Sequence, residues 1–161
     1  MTLDAEIELA SHRGSRRLPL ATFLVGARQT ARDADELVIA IHVPAQAEIG
    51  FSGFEKLGAR RYLVISIAMT AARLSVTDGR IESAAVAVGA CAPVAIRLTA
   101  LEESLGALPC DAVADCLGDS RQQIMDALAP IDDVRGSADY RRMAAAELVA
   151  RLVGRLCEES G

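Results

Sequence analysis

Residues 65–89 read ISIAMTAARLSVT, then Asp78-Gly79, then RIESAAVAVG, and this stretch contains the strongest fold signal in the chain. An Asp-Gly pair between two apolar runs is typical of a tight β-hairpin, because the primed turn that joins such strands needs a positive φ. Ala72, Leu74 and Val76 alternate with polar residues on the way into the turn, so one face of the hairpin is expected to be buried. The alanine-rich far end is expected to be buried on both faces.

The chain before this hairpin reads as short strands and turns. Residues 5–10 alternate between apolar and polar, which predicts a half-buried strand. Residues 37–43 form an apolar run that stops at Pro44, and such a run favours a strand that is covered on both faces. Residues 51–57 read as one further short strand.

The pattern changes to a helical period after Leu98, and residues 94–98 read as a third strand beside the hairpin. We therefore predict an α+β fold, in which short strands precede a three-stranded antiparallel sheet that is packed against helices.

Several helix starts and stops can be read from the carboxy-terminal part. Thr99 and Glu102 have the spacing of a capping box, and Asp111 can cap a longer helix that Gly118 weakens and splits. Ser137 is placed to cap the last helix. The last helix is expected to pack through one apolar stripe, made of Ala145, Leu148, Val149, Leu152 and Leu156.

Composition and charge limit the class of function. The chain has 161 residues, of which 52% are apolar and only 3% aromatic, so its core is expected to consist of Ala, Val, Leu and Ile. A net charge of −5 argues against a nucleic-acid-binding surface, which needs a basic footprint. The arginine pairs at 16–17, 60–61 and 141–142 are interpreted as solvated element ends. No secretory or membrane-spanning segment is evident, and the expected location is the cytoplasm.

The sequence offers no metal-binding or catalytic set. Cys91, Cys110, Cys116 and Cys157 include no C-x-x-C pair, which argues against zinc and iron–sulfur sites and favours free thiols in a reducing compartment. His42 lies inside an apolar run and is interpreted as a satisfied edge or core residue rather than a ligand.

Six segments, in order along the chain, resemble one known family: the FAD-binding medium subunits of molybdenum hydroxylases, of the xanthine dehydrogenase and carbon monoxide dehydrogenase type. The segments are LDAEIELAS at 3–11, RGSRR at 13–17, PLATF at 19–23, DELVIAIHVP at 35–44, FEKLGARR at 54–61 and PIDDVRGSADYRR at 130–142.

The resemblance implies an FAD-bearing electron-transfer subunit. In this family, electrons leave a molybdenum site on a molybdopterin-binding large subunit and pass through [2Fe–2S] clusters on a small subunit to the flavin. The flavin then reduces NAD or another acceptor. The substrate is chosen at the molybdenum site and is not encoded in this chain.

Four positions match flavin-contacting positions of the family. Leu37 and Val38 fall where the family packs apolar residues against the flavin, Lys56 where it has a lysine near the ring, and Phe54 where some members carry an aromatic residue. A flat apolar wall and a cation suit a flavin, because the cation can stabilise the negative charge of the reduced ring. On the residues alone, Leu37 and Val38 read as ordinary core and Lys56 as a solvated strand end.

The chain departs from the family in its glycines. The family holds the pyrophosphate and adenine of FAD with glycine-rich loops in its amino-terminal half, whereas Gly14, Gly26, Gly50 and Gly53 are isolated here. We therefore expect only the carboxy-terminal part of a medium subunit, with a partial FAD-binding subdomain at 1–53 and the carboxy-terminal domain at 54–161. The alternative is a structural or interaction module with the same fold and no cofactor.

Two expectations follow from a partial subunit. The isolated chain should bind FAD weakly or not at all, because the phosphate-binding loops are missing. The early strands should be the less stable part and should drive assembly, either with an amino-terminal FAD-binding half or with a second copy, because exposed strand edges and apolar faces gain most from a partner.

Overall fold

The predicted hairpin forms the centre of the larger of two lobes. In the computed structural model, which describes residues 1–60 and 64–160, the strands Ser66–Thr77 and Arg80–Gly89 are joined by Asp78 and Gly79, whose φ values are 51° and 71°. Thr77 pairs with Arg80 across this two-residue turn, as the Asp-Gly pair predicts. Arg61, the last residue of the 54–61 segment, lies outside the described residues.

The elements follow the predicted order of strands first and helices last. The amino-terminal lobe (residues 1–50) contains β1 (Glu6–Ser11), β2 (Gly14–Pro19), α1 (Leu20–Phe23), β3 (Leu24–Gly26), β4 (Gln29–Thr30), β5 (Leu37–His42) and a 3-10 turn at Ala45–Glu48. The carboxy-terminal lobe (residues 51–60 and 64–160) contains β6 (Phe51–Gly58), β7 (Ser66–Thr77), β8 (Arg80–Gly89), β9 (Ile96–Arg97), α2 (Thr99–Leu105), a 3-10 turn at Cys110–Ala112, α3 (Val113–Asp119), α4 (Arg121–Asp126) and α5 (Ala138–Glu159). The α+β class is therefore confirmed.

The carboxy-terminal sheet has four strands rather than three. Its order is β6-β7-β8-β9, all antiparallel, because the strand predicted at residues 51–57 pairs along β7 and extends the sheet by one edge. Hydrophobic alternation identified that strand but carried no information about which sheet it joins. The predicted domain boundary between residues 53 and 54 falls inside β6.

One face of this sheet packs against the helices and forms the main core. Ala72 and Leu74 of β7, with Val86 and Val88 of β8, are at most 2% exposed. The apolar stripe of α5 meets them, and all five predicted stripe residues are buried. Ala85 and Ala87, on the opposite face of the sheet, are also buried, so the alanine-rich end of the hairpin is covered on both sides as expected.

Of the predicted helix caps, the cap at Ser137 is confirmed, whereas the capping box predicted at Thr99 and Glu102 is wrong. The Ser137 hydroxyl accepts a hydrogen bond from the Tyr140 amide at 3.2 Å. At α2 the N-cap residue is Leu98, without a side-chain cap. The Glu102 carboxylate instead accepts from the Val86 amide of β8 and pairs with Arg97 of β9, because hydrogen bonds from a charged guanidinium outcompete the local cap.

The predicted long helix after Asp111 is divided. A 3-10 turn, α3 and α4 follow one another, with the break at Ser120 beside Gly118, and the Asp111 side chain makes no cap bond. The split agrees with the low helix propensity of glycine.

The amino-terminal lobe is a three-stranded antiparallel sheet with a small core. The strand order is β2-β1-β5, and Ile7, Leu9 and Phe23 form its buried cluster. Strand β5 lies at the edge, and the large apolar residues of 37–43 are 47–69% exposed. The prediction that this run is covered on both faces is therefore wrong within this chain, because β1 occupies only one of its edges and neither face is fully covered.

Two arginines and one glycine join the lobes. Arg73 of β7 donates to the Thr2 carbonyl, and Arg97 of β9 donates to the Met1 carbonyl and pairs with Asp4 at 2.6 Å. Gly50, with φ +92°, carries the chain from one lobe to the other so close to β7 that any Cβ would overlap the Leu74 carbonyl oxygen.

Candidate functional site

Phe54 and Lys56 lie on the same face of β6, because side chains alternate along a strand. The alternate residues face α5: a Cβ on Gly53 would lie 2.6 Å from Leu152, and the Glu55 carboxylate lies 3.7 Å from the Arg155 guanidinium. Phe54 is consequently turned away from the core and is 58% exposed. The missing side chain at Gly53 lets the strand pack closely on α5 and fixes this orientation.

Lys56 is the only lysine in the sequence, in which every other Lys or Arg is arginine. Its Nζ donates to the Val64 carbonyl at 2.8 Å, and the side chain is otherwise exposed. An ammonium group has three N–H donors, so one backbone bond leaves donors for a ligand. The structure therefore presents a fixed, accessible cation beside an exposed ring.

A cavity of about 550 Å³ opens next to this edge of the sheet. Met69, the strand neighbour of Lys56, and Gly89 line it together with Ala27 of the amino-terminal lobe. The site edge therefore borders a mainly apolar cleft to which both lobes contribute.

Leu37 and Val38 lie on the other lobe, at the start of β5. They pair with Ala10 and Leu9 of β1 and are 69% and 47% exposed. The four sequence-predicted residues thus form two pairs, one on the edge strand β5 and the other on β6, the edge strand of the other sheet. All four are accessible. Their role in flavin binding stays a prediction.

The described residues fit the ring end of a flavin but not its diphosphate. Exposed apolar side chains and a cation match the ring, whereas the positive-φ glycines Gly14, Gly50, Gly79 and Gly136 stand singly and form no cradle of successive amides. Arg16 and Arg17 are also bound to carboxylates of this chain. Arg16 binds the Glu36 carboxylate through Nε at 2.6 Å, and Arg17 pairs with Glu8.

Internal ion pairs of this kind also lower the pKa of two carboxylates strongly. The Arg16 guanidinium and the Asp33 amide lower the pKa of Glu36 to about 2. Arg135 does the same for Asp133 through its side chain and its amide, again to about 2. These carboxylates are structural anions in ion pairs.

The remaining candidate residues, His42 and the four cysteines, are also placed by the structure. His42 hydrogen-bonds to Glu8 on the adjacent strand, as expected for a satisfied edge residue. The four cysteines are free thiols, and within residues 1–60 and 64–160 no cluster of His, Cys, Asp and Glu could hold a metal ion. None of the helices in that part of the chain combines the length and apolar character that crossing a bilayer requires.

Sequence reasoning missed one organising residue, Arg141. It was interpreted as a solvated element end, but it is 1% exposed and donates to the carbonyls of Ile67, Ile131 and Ala90. Its position on the α5 surface that faces the sheet, next to Ala145, is the signal that could have identified it. The guanidinium ties the start of β7 and the end of β8 to the loop before α5.

Two family models match the chain. The CO dehydrogenase flavoprotein C-terminal domain matches residues 54–156, and the FAD binding domain in molybdopterin dehydrogenase matches residues 1–46.

Characterised relatives match along most of the chain. The xanthine dehydrogenase FAD-binding subunit of Escherichia coli O157:H7 is 28% identical over 140 residues, which is 86% of this chain and 47% of that protein. The nicotine 6-hydroxylase medium subunit of Paenarthrobacter nicotinovorans is 28% identical over 95% of this chain and 52% of its own length. The chain therefore spans about half the length of these relatives.

Solved structures of CO dehydrogenase contain chains that share this fold. A chain of the reconstituted CO dehydrogenase from Oligotropha carboxidovorans superimposes with a TM-score of 0.88 at 26% identity, over 98% of this chain and 54% of that one. A chain of the CO dehydrogenase from Hydrogenophaga pseudoflava gives a TM-score of 0.83 at 27% identity, over 94% and 52%. Because the first family model covers well over half of the residues, the chain belongs to the CO dehydrogenase flavoprotein C-terminal domain family, that of the FAD-binding medium subunits of molybdenum hydroxylases.

Proposed function

We propose that this chain forms the ring-binding side of the flavin site in the electron-transfer subunit of a molybdopterin-dependent hydroxylase or dehydrogenase. The observation that supports this most is the superposition of nearly the whole chain on a CO dehydrogenase chain, at a TM-score of 0.88. Bound FAD would supply the redox chemistry by which electrons from the iron–sulfur clusters of a small subunit reach NAD or another acceptor.

The chain's own residues would orient the ring and exclude water from it. Leu37 and Val38 offer apolar surface, and Phe54 offers a flat face against which a second ring can stack. Lys56 would place its ammonium group near the ring, where negative charge develops on reduction. The diphosphate and adenine would be held by a partner, because this chain has no glycine-rich loop for them.

The partner would be an amino-terminal FAD-binding half that adds to the edge of β5. This strand has one free edge, and its large apolar residues are exposed on both faces. Two copies paired edge to edge would satisfy the backbone groups but would leave those faces bare. A partner that supplies both a strand and a covering layer satisfies both needs, and the relatives are about twice as long as this chain. The molybdopterin-binding large subunit and the iron–sulfur small subunit would complete the assembly.

The test uses the single lysine as a reporter. Reductive methylation with ¹³C-formaldehyde labels lysine amines, and the Lys56 signal is identified as the one that is missing from a Lys56→Met variant. A chimera in which this chain replaces the matching half of the Escherichia coli xanthine dehydrogenase FAD-binding subunit is expected to purify with flavin, and removing the flavin should shift the Lys56 methyl signal. A Lys56→Met chimera should bind FAD more weakly, whereas an Arg80→Met chimera, changed at the hairpin turn, should not.

The isolated chain is the matched control. Calorimetric titration with FAD should show binding weaker than micromolar, because the anion-binding backbone is absent. A monodisperse, folded chimera without flavin and with an unchanged Lys56 signal would favour the alternative, a structural module without a cofactor. Micromolar or tighter FAD binding by the isolated chain would contradict the assignment of the diphosphate to a partner.

A further inference from the structure

A second cavity lies between α3, α4 and α5. It has a volume of about 420 Å³, and much of its wall consists of small residues, including Ala114, Gly118, Ala150 and Gly154. A Cβ on either glycine would meet nothing within 4 Å, so the groove is open to small reagents. Cys110 and Cys157 both line it.

The ends of two elements bring both cysteines to one residue, Ser160. Cys110 begins the 3-10 turn after Pro109, and Cys157 lies in the last turn of α5. Ser160 contacts both residues: its hydroxyl lies 4.0 Å from the Cys110 sulfur and donates to the Cys157 carbonyl at 2.7 Å. The Cys110 backbone is itself fixed, because its amide donates to the Gly79 carbonyl at 2.9 Å.

The environments of the two sulfurs differ. Cys110 is half-buried at the groove, whereas Cys157 is 6% exposed. Burial, followed by the influence of the nearby Cys110 thiol, raises the pKa of Cys157 to about 12. Cys110 is therefore the thiol that a reagent reaches first, and Cys157 is the neighbour that can respond.

The other two cysteines have no such neighbour in the described part of the chain. Cys91 is fully buried against the Ile67 and Arg141 carbonyls, and the Cys116 sulfur lies 3.9 Å from the Ser104 carbonyl.

We infer that Cys110 and Cys157 form a dithiol modification site that a hydroperoxide converts into a reversible disulfide. The Cys110 thiolate attacks one oxygen of the peroxide and becomes a sulfenic acid. The O–O bond breaks, and the hydroxide that leaves takes up the proton that Cys110 has lost, so that it departs as water. The Cys157 thiolate then attacks that sulfur, forms the S–S bond and displaces hydroxide, which takes up the proton that Cys157 has lost. In sum, two thiols and one hydrogen peroxide give one disulfide and two waters, and an added dithiol reverses the reaction.

The bond would close a loop that contains α3, α4 and most of α5. It would tie the turn after Pro109, already bonded to the hairpin at Gly79, to the end of α5. The oxidised protein should therefore unfold at a higher temperature than the reduced protein, because the cross-link restricts the unfolded chain. This inference does not depend on the proposed flavin function.

The experiment treats the purified chain with hydrogen peroxide and maps its peptides without reduction. The expected product links the Cys110 and Cys157 peptides, has a mass lower by about 2 Da, leaves Cys91 and Cys116 available for alkylation after denaturation, and has a higher Tm. Ring closure should accelerate as the pH rises from about 7 to about 9, because the buried Cys157 thiol must lose its proton.

Two variants serve as matched controls. Cys110→Ser should abolish the link, and Cys116→Ser should leave it unchanged. The inference is overturned if Cys110 becomes oxidised or capped while Cys157 stays alkylatable, or if the disulfide that forms joins other cysteines. The wild-type peptide map decides this even if a variant folds poorly.

Discussion

Strands β5 and β8 have similarly apolar sequences, but β8 is buried and β5 is largely exposed. Ile81, Val86 and Val88 of β8 are fully buried between two neighbouring strands and a layer of helices. The large apolar residues of β5 are about half exposed or more, on a sheet edge. An apolar run therefore indicates that a strand requires other protein packed over its faces. Whether the strand is actually buried depends on which other segments are present to pack there.

The largest expected effect compares the same substitution in the two lobes. Leu152→Ala should lower the free energy of unfolding by about 3 kcal/mol, because Leu152 is fully buried and its removal leaves a cavity. Leu37→Ala should change it by less than about 0.5 kcal/mol, because Leu37 is 69% exposed. Urea denaturation of both variants measures this. Similar losses would mean that β5 is covered, for example by a second copy.

Hydrogen exchange compares the lobes without mutation. Amides of residues 37–43 should exchange at least about a hundredfold faster than those of β8 in the monomer, since few buried contacts protect the edge strand. Mass spectrometry of peptides from each strand, at a concentration where the chain is shown to be monomeric, provides the rates. Equal, strong protection would show that the amino-terminal lobe is complete by itself.

A smaller difference in the free energy of unfolding is expected between substitutions of two hydroxyl residues at helix starts of the carboxy-terminal lobe. Ser137→Ala should cost about 1 kcal/mol, because the hydroxyl caps α5. Thr99→Ala should cost no more than about 0.5 kcal/mol, because α2 has no side-chain cap. Thermal unfolding of both variants tests the contrast, and an equal loss would restore the capping box at α2.

The last comparison concerns how the stability of the two lobes depends on pH in acid solution. Each lobe has a carboxylate whose pKa is about 2, Glu36 beside Arg16 and Asp133 beside Arg135. Because these values lie below the ordinary ones, the ionised groups stabilise the fold above about pH 4.5, and this contribution is lost as the pH falls to about 2. Carbon NMR should give both midpoints near 2, and Glu36→Gln should remove that part of the acid dependence. A midpoint near 4.5 for Glu36 would contradict its pairing with Arg16.

Local signals carried most of the fold prediction. The turn at Asp78-Gly79, the cap at Ser137 and the stripe that includes Leu152 each depend on neighbours in sequence, and each was predicted correctly. The failures have long-range causes. Glu102 binds Arg97 and the Val86 amide instead of its own helix start, and Arg141 is drawn inside by carbonyls from two distant strands and the nearby loop before α5.

The candidate site was predictable only as residue positions. The resemblance identified Leu37, Val38, Phe54 and Lys56, and the structure adds that all four are accessible on two edge strands. Period-two alternation does show that Phe54 and Lys56 share a face of their strand. Which face this is follows from the packing of Gly53 against Leu152, a contact between distant parts of the sequence.

The crossing at Gly50 has an evolutionary consequence. A side chain there would overlap the Leu74 carbonyl oxygen, a backbone atom that no substitution can shorten, so no change elsewhere in the sequence compensates for losing this glycine. Gly53 differs, because its nearest neighbour is the Leu152 side chain, which a smaller residue can replace. Descendants of this protein should therefore keep glycine at position 50 in every lineage, whereas position 53 should be free to change in lineages that first shorten residue 152.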